Sequence, residues 1–212
     1  MEELGQKTEY LKILKAFLLE EEDYKRKVQM IQKAKEFCQY LTQNNIDYEV
    51  CLKHPEVISC DDSYQYYQRF QDYLTEDYVI CKNLLVQERK GEKRKFLVIL
   101  DSRKQLSFQQ LREILACKKL EFVNSNEMKE LLDTTPGNVS LFNIKNDQTK
   151  QVHLVLDQEL LQANLLAFHP LYNGMSLFLR PIDCLKFVHL IKRNAQVISL
   201  SKENNKQYIK SN

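Results

Sequence analysis

The sequence is poor in residues that interrupt regular structure. It has 4 glycines, 4 prolines and no tryptophan in 212 residues, which argues against long disordered linkers. No apolar run approaches the ~18 residues that span a bilayer, and the N-terminus carries no secretory signal. A chain of this length buries roughly 70% of its unfolded surface. We therefore expect one domain with at most an appendage, no membrane partner, and no need for a disulfide or metal to fold.

Metal-site and redox motifs are also missing. The six cysteines form no CxxC pair, and none of the four histidines stands near a cysteine at zinc-like spacing. Several cysteines lie in apolar runs, where Cys behaves as a small hydrophobic residue. We expect reduced, mostly buried cysteines, a cytoplasmic location, no metal and no cofactor.

The charge balance limits the nucleic-acid partners. With 31 basic and 29 acidic residues the net charge is +2, which argues against a protein that coats DNA. Local clusters can still bind RNA, although each can also be an ordinary solvated surface. These clusters are Lys25, Arg26 and Lys27; Arg89, Lys90, Lys93, Arg94 and Lys95; and Lys202, Lys206 and Lys210.

Residues 8–43 have helical periodicity. Apolar side chains recur there at three- and four-residue steps, as at Val28, Ile31, Phe37, Cys38 and Leu41. Acidic residues favour a helix N-terminus, so the run at 20–23 predicts the end of one helix and the start of another. We therefore expect a helical hairpin, as an extension over 1–43.

Later residues alternate between strand and helix patterns. We expect a strand that starts at 46 and is ended by His54-Pro55, further strands at 78–88, 95–101, 120–123, 151–156, 164–168, 175–180 and 197–200, and helices at 62–74, 107–117, 124–132 and 181–193. The apolar strand at 96–100 does not alternate, which is typical of the centre of a sheet. These elements predict an α+β domain over 44–201 with a mixed, largely antiparallel curved sheet and flanking helices, followed by a basic polar tail over 202–212.

Three features are candidates for chemistry. Alternation places Lys82 on an apolar strand face, either as an edge lysine that reaches water or as a cation at the floor of a cleft. Pro136-Gly137 is typical of a type II turn, which can offer free N–H groups to an oxyanion but usually does not. His169, before the Asn173-Gly174 turn, is either a general base or structural. Nucleotide-binding and serine-hydrolase motifs are missing.

These residues fall in an order that resembles the prolyl-tRNA synthetase-associated editing domain, also called the YbaK-like domain. The resemblance covers 46–200 and is closest to the free-standing branch that acts on mischarged tRNA-Pro, especially Ala-tRNA-Pro. Its landmarks are Tyr48-Glu49-Val50, His54-Pro55, Cys81-Lys82-Asn83-Leu84, the strand at 96–100, Leu131-Leu132, Thr135-Pro136-Gly137-Asn138-Val139-Ser140, Asn146-Asp147, Val155-Leu156-Asp157 and Phe168-His169-Pro170 with Asn173 beyond.

The resemblance implies an aminoacyl-tRNA deacylase whose pocket holds the 3′-terminal adenosine and the aminoacyl group. Lys82 matches the family's essential lysine, Asn83 its neighbour, and Gly137 the glycine-rich loop, so these three are the expected catalytic residues. The expected substrate-binding residues are Pro136, Asn138, Val139, Ser140, His169 and Asn173. A water attacks the ester, with no metal and no covalent nucleophile, and the partner is the acceptor end of tRNA. We expect the hairpin cluster Arg89, Lys90, Lys93, Arg94 and Lys95 to bind tRNA.

Two departures from the family pattern keep alternatives open. The family loop commonly reads Gly-x-x-x-Pro, but its fifth position here is Leu141, and Ile80 stands where a histidine is common. The loop could be less rigid, and the amino-acid specificity could differ. A non-catalytic RNA- or protein-binding module on the same fold is the alternative, and a structural protein built around the N-terminal helices is a third. The sequence does not decide the oligomeric state.

Overall fold

The structure, a computed structural model, describes residues 2–57, 59–74 and 76–200. The predicted basic tail lies outside the described residues. The helices are α1 Glu2–Gln43, α2 Cys60–Tyr67, α3 Phe108–Ile114, α4 Ser125–Leu132 and α5 Pro181–Leu190. The strands are β1 Val50–Lys53, β2 Tyr78–Glu88, β3 Lys95–Asp101, β4 Leu120–Phe122, β5 Val152–Asp157, β6 Leu165–Phe168, β7 Met175–Leu179 and β8 Ala195–Ile198. Short 3-10 helices occupy Gln68–Tyr73, Leu141–Asn146 and Gln158–Gln162.

The strands form one mixed sheet with the order β1-β7-β6-β2-β3-β5-β8, and β4 pairs with β2. Four of the pairings are antiparallel (β1 with β7, β2 with β3, β2 with β4, β6 with β7) and three are parallel. The apolar segment 96–100 lies in β3, inside the sheet, and is fully buried. The predicted fold class, a mixed and largely antiparallel α+β sheet with flanking helices, is confirmed.

Local capping signals mark the helix starts that the sequence predicts. The Ser107 side chain accepts a hydrogen bond from the Gln110 N–H at the start of α3. Asn124 accepts from the Glu127 N–H at the start of α4, and Pro181 lies in the first turn of α5. These caps satisfy backbone donors that the first helical turn leaves free.

The N-terminal region is one continuous helix, so the predicted hairpin is wrong. The acidic run lies inside α1, where its side chains pair with bases one turn later, as Glu21 does with Lys25 and Asp23 with Lys27. Such i,i+4 pairs stabilise a continuous helix. No glycine or proline interrupts residues 6–54, so the chain has no residue that would force a turn there.

The C-terminal half of α1 packs into the main core. Phe37, Cys38 and Leu41 are buried in the same cluster as the inner sheet face. The Phe37 ring lies 4.8 Å from the Phe142 ring and 5.9 Å from the Phe187 ring, measured between centroids. Among the described residues, no helix combines the length and apolar content that crossing a membrane requires.

Candidate active site

The candidate site lies where one edge of β2 changes its partner strand. Up to Ile80 this edge pairs with β6, and from Val86 onward it pairs with β4. Between these two pairings, no strand among the described residues pairs with this edge at 81–85, whose other edge pairs with β3. This break in the sheet opens a cleft of about 380 Å³. Its lining includes Val57, Ser63, Tyr67, Ile80, Lys82, Asn83, Leu84, Phe122, Met128, Pro136, Gly137, Val139, Ala167 and His169.

Lys82 lies in the middle of this break and is partly buried. Its Nζ donates a hydrogen bond to the Lys104 carbonyl, 2.9 Å away, in the segment that follows β3. That carbonyl fixes the ammonium group at the cleft wall without neutralising its charge. Lys82 thus lines the cleft, and its role there stays a prediction.

A type II turn forms another part of the cleft lining. The Asn138 N–H donates to the Thr135 carbonyl at 3.0 Å, and Gly137 has a φ of +86°. Only glycine adopts this conformation without strain, and proline suits the preceding position. The turn itself uses the N–H of Asn138, so its own hydrogen bond leaves the Gly137 N–H free for a ligand. The predicted turn type agrees with this geometry.

Asn83 holds this loop against β2. Its Oδ1 accepts from the Leu141 N–H at 3.0 Å, and its Nδ2 donates to the Cys81 carbonyl at 3.1 Å. Leu141 is fully buried, and its N–H is the donor that a proline at this position would lack. Leu141, which stands where the family loop commonly has proline, thus supplies the backbone N–H that bonds to Asn83.

The other polar residues of the loop lie behind the cleft wall. Asn138 Oδ1 accepts from the Asn173 N–H at 2.9 Å, and Asn173 Nδ2 donates to the Val57 carbonyl at 3.1 Å. Ser140 is fully buried, and its N–H donates to Asn143 Oδ1 at 2.8 Å. Asn138, Ser140 and Asn173, expected to bind substrate, are outside the cleft lining, whereas Pro136 and Val139 are part of it.

His169 lines the cleft in one defined tautomer. Its Nδ1 lies 3.2 Å from the Met175 carbonyl, and because a carbonyl only accepts, Nδ1 carries the proton. Burial lowers the pKa of His169 to about 4. The ring is therefore neutral at pH 7, and Nε2 is an acceptor rather than a cation.

A buried hydrogen-bonded chain beside the cleft is not among the features that the sequence predicts. His54 Nδ1 donates to the Pro55 carbonyl at 2.7 Å, so its Nε2 accepts from Ser176 Oγ at 2.8 Å. Ser176 Oγ in turn accepts from the Tyr67 hydroxyl at 2.5 Å. Burial raises the pKa of Tyr67 to about 12, which keeps the hydroxyl protonated. Three distant segments supply these residues, and no local motif joins them.

The predicted tRNA-binding cluster lies at the far end of β2. From Lys82 to Glu88 the strand extends ~20 Å, so the hairpin tip is remote from the lysine. Lys90 and Lys93 are exposed, and Arg89 lies 3.6 Å from Glu121. Arg94 forms two hydrogen bonds with the buried Glu88 carboxylate and lowers the pKa of that group to about 2. Arg94 therefore stabilises the hairpin, and Lys95 is partly buried in β3.

Comparison with known proteins places this cleft in a family. The sequence model of the aminoacyl-tRNA editing domain matches residues 54–187, which include the loop and every residue of the cleft lining named above. This chain belongs to the aminoacyl-tRNA editing domain family. The resemblance that the sequence motifs carry is confirmed.

Individual relatives agree with this assignment. The Prolyl-tRNA editing protein ProX of Acetoanaerobium sticklandii is 31% identical over 112 residues, which cover 53% of this chain and 67% of the relative. A protein named as a proposed proline–tRNA ligase of Schizosaccharomyces pombe is 27% identical over 85 residues, only 12% of its own length. A solved structure of a proposed trans-editing enzyme for prolyl-tRNA synthetase superposes with a TM-score of 0.57 at 16% identity, over 81% of this chain and 98% of that one. The structural match shows the shared fold.

Proposed function

We propose that this chain is a trans-editing deacylase that hydrolyses the ester of mischarged tRNA, with alanyl-tRNA-Pro as its substrate. The observation that carries the proposal is the cleft, whose lining brings together Lys82 and the Pro136-Gly137 turn. A fixed cation and a free N–H in one cleft are suited to hold an ester.

In this mechanism the protein positions the reactants and stabilises charge. A water oxygen attacks the ester carbonyl carbon, and the bond to the ribose oxygen breaks as that oxygen takes a proton. Lys82 holds an oxygen of the substrate, and the Gly137 N–H donates to the carbonyl oxygen as it becomes negative. The terminal ribose hydroxyl helps to orient the water. The neutral His169 Nε2 accepts a hydrogen bond from the bound substrate.

The end of the cleft next to β6 provides a basis for amino-acid choice. Tyr67, Ile80 and Ala167 line this end, and all three are buried. A tight apolar pocket can exclude a side chain that is too large, whereas a missing methylene changes discrimination by only ~1–3 kcal/mol. An alanyl group enters such a pocket, and the larger prolyl ring is excluded. The name of the ProX relative, a prolyl-tRNA editing protein, supports the choice of tRNA.

The test is deacylation across a panel of tRNAs that carry wrong and right amino acids. We expect rapid hydrolysis of alanyl-tRNA-Pro and sparing of prolyl-tRNA-Pro. Lys82→Ala should abolish hydrolysis while the folded state is kept, and Lys53→Ala, an exposed strand lysine that does not line the cleft, should leave it unchanged. If the protein binds tRNA but no member of the panel is hydrolysed faster than in buffer, the chain is a non-catalytic binding module instead.

A further inference from the structure

We propose that the single-stranded 3′ end of tRNA leaves the cleft across Phe122, with the terminal adenine stacked on this ring and phosphates held by Lys118 and Lys119. The inference rests on the proposed function, because it assigns the open end of the same cleft to the nucleotide part of the substrate.

Phe122 is an aromatic side chain at the mouth of the cleft. It lines the cleft and is 57% exposed, unusual for a large apolar residue next to a core. In the pairing of β2 with β4 it lies directly opposite Val86. Residues directly opposite in a sheet share a face, and side chains alternate along β2, so Phe122 shares its face with Lys82 and Leu84.

The ring is held in place from one side. The Phe108 ring packs against it, with centroids 5.1 Å apart and planes at 55°. Phe108 is the first residue of α3, whose other apolar side chains, such as Leu111, are buried in the core. A supported ring with an exposed surface loses little entropy when a flat base stacks on it, and stacking on aromatic side chains tolerates any base.

The two ends of the cleft differ in a way that matches the two parts of the substrate. The end at β6 is lined by Tyr67 and Ala167, which are nearly inaccessible. The end at β4 is open at Phe122. Along β2 the distance from Lys82 to the position opposite Phe122 is ~13 Å. A ribose and an ester separate the base from the amino-acid side chain, so a substrate whose ester lies at Lys82 can place its base at Phe122.

Cations continue the path beyond Phe122. Lys118 and Lys119 directly precede β4 and are exposed, and within the part of the chain that the structure describes neither forms an ion pair. The Lys119 carbonyl accepts from the Arg89 N–H at 2.9 Å, which joins this segment to the hairpin tip. An aromatic ring beside unpaired cations is the combination that binds single-stranded nucleic acid.

The N-terminal cluster lacks this combination. Lys25 pairs with Glu21, Arg26 with Glu56 and Lys27 with Asp23, so acidic side chains already neutralise its charges. The tRNA end is therefore assigned to the β4 side of the molecule.

The experiment measures binding of an uncharged acceptor-stem RNA hairpin that ends in single-stranded CCA, and of the same RNA with an abasic 3′-terminal nucleotide. We expect Phe122→Ala to weaken binding of the intact RNA about tenfold and to change binding of the abasic RNA little. Phe122→Tyr, which keeps a ring, should bind like the unmodified protein. Lys118→Gln combined with Lys119→Gln should weaken binding of both RNAs.

Matched controls separate this site from general surface effects. Tyr24→Ala removes an exposed aromatic side chain from α1, and Lys35→Gln with Lys192→Gln removes the same charge elsewhere, so neither should change affinity appreciably. Equal losses with Phe122→Ala on both RNAs, or no loss on either, would overturn the proposal. Because the RNA carries no amino acid, binding that depends on Phe122 without any deacylation would refute only the proposed function.

Discussion

The adjacent residues Lys82 and Asn83 have different tasks because alternate side chains of a strand point to opposite faces. Lys82 places an ammonium group in the cleft, and Asn83 ties strand β2 to the loop that contains Gly137. The turn can stabilise an oxyanion only if its N–H is already in position when charge develops. In the proposed mechanism Asn83 is thus a positioning residue, whose effect on hydrolysis passes through the Leu141 N–H.

Two substitutions of Asn83 distinguish the effect of its hydrogen bond to Leu141 from the effect of its side-chain volume. Asn83→Ala leaves the Leu141 N–H, on a fully buried residue, without its acceptor, so we expect a loss of ~1–3 kcal/mol in the free energy of unfolding. The single-turnover rate of deacylation should fall as well. Asn83→Asp keeps the acceptor oxygen, so it should retain more of the stability and more of the single-turnover rate. Urea denaturation and single-turnover assays on the two variants give the comparison, and equal activity in both would exclude the anchoring role.

His169 should make folding stability depend on pH in the acidic range. Its pKa of about 4 in the folded protein lies below the ordinary 6.5. The unfolded chain therefore binds more protons between these values, and stability falls as pH drops from 6.5 toward 4. We expect His169→Gln to remove on the order of 2–3 kcal/mol of the stability change measured between about pH 7.5 and about pH 4.5. His153→Gln, at an exposed histidine, should leave the profile unchanged.

At the scale of elements, α1 combines an exposed segment with a buried one. The buried segment is part of the main core, since Phe37 contacts two other aromatic rings there. Phe37→Ala should lower the free energy of unfolding, measured by urea denaturation, by ~3–5 kcal/mol. Val28→Ala, at a 47% exposed position of the same helix, should change stability by less than ~0.5 kcal/mol. Similar small effects of both would support the prediction that 1–43 is a separable extension.

The β2–β3 hairpin uses one of its cations for its own stability. Glu88 is buried, and Arg94 is the base that neutralises it. Arg94→Gln leaves a buried carboxylate without its partner. We therefore expect a loss of ~3–5 kcal/mol in the free energy of unfolding. Lys90→Gln and Lys93→Gln change exposed side chains. Each should change the free energy of unfolding by less than ~0.5 kcal/mol. If Arg94→Gln lowers the free energy of unfolding only slightly, Arg94 is again a candidate for binding tRNA.

Sequence patterns predict these elements well where the cause is local. Strand alternation and helix caps such as Ser107 and Asn124 depend on residues a few positions apart, so β2, β3, α3 and α4 agree with the prediction. The acidic run in α1 is ambiguous, because acids favour both a helix start and i,i+4 pairing. Tyr67 and Phe122 reach the cleft only through sheet topology, which no local pattern contains. The resemblance to a family located Lys82 and Gly137 but not their distant neighbours.

Across the whole molecule, a nearly neutral net charge conceals an uneven distribution. Ion pairs within the protein use the charges of Lys25, Arg26, Lys27 and Arg94, whereas Lys90, Lys93, Lys118 and Lys119 have no ion pair among the described residues. These four lysines lie in two segments that the bond from the Arg89 N–H to the Lys119 carbonyl joins, next to the open end of the cleft. A tRNA that enters from this side meets positive charge before it meets Lys82. The net charge of +2 therefore underestimates the attraction for RNA.

Binding of tRNA should accordingly depend steeply on salt through a few identified lysines. Phosphate contacts release counterions, so each lysine that is removed should reduce the slope of log affinity against log salt by about one unit. We expect Lys90→Glu with Lys93→Glu to weaken tRNA binding and flatten this slope. The rate of a single turnover at saturating tRNA should stay the same, because the hairpin tip lies ~20 Å from Lys82. Charge reversal at Lys25 and Lys27, whose charges are already paired, should alter the slope less. An unchanged slope with a slower chemical step would place the hairpin tip at the reacting ester and move the tRNA footprint to α1.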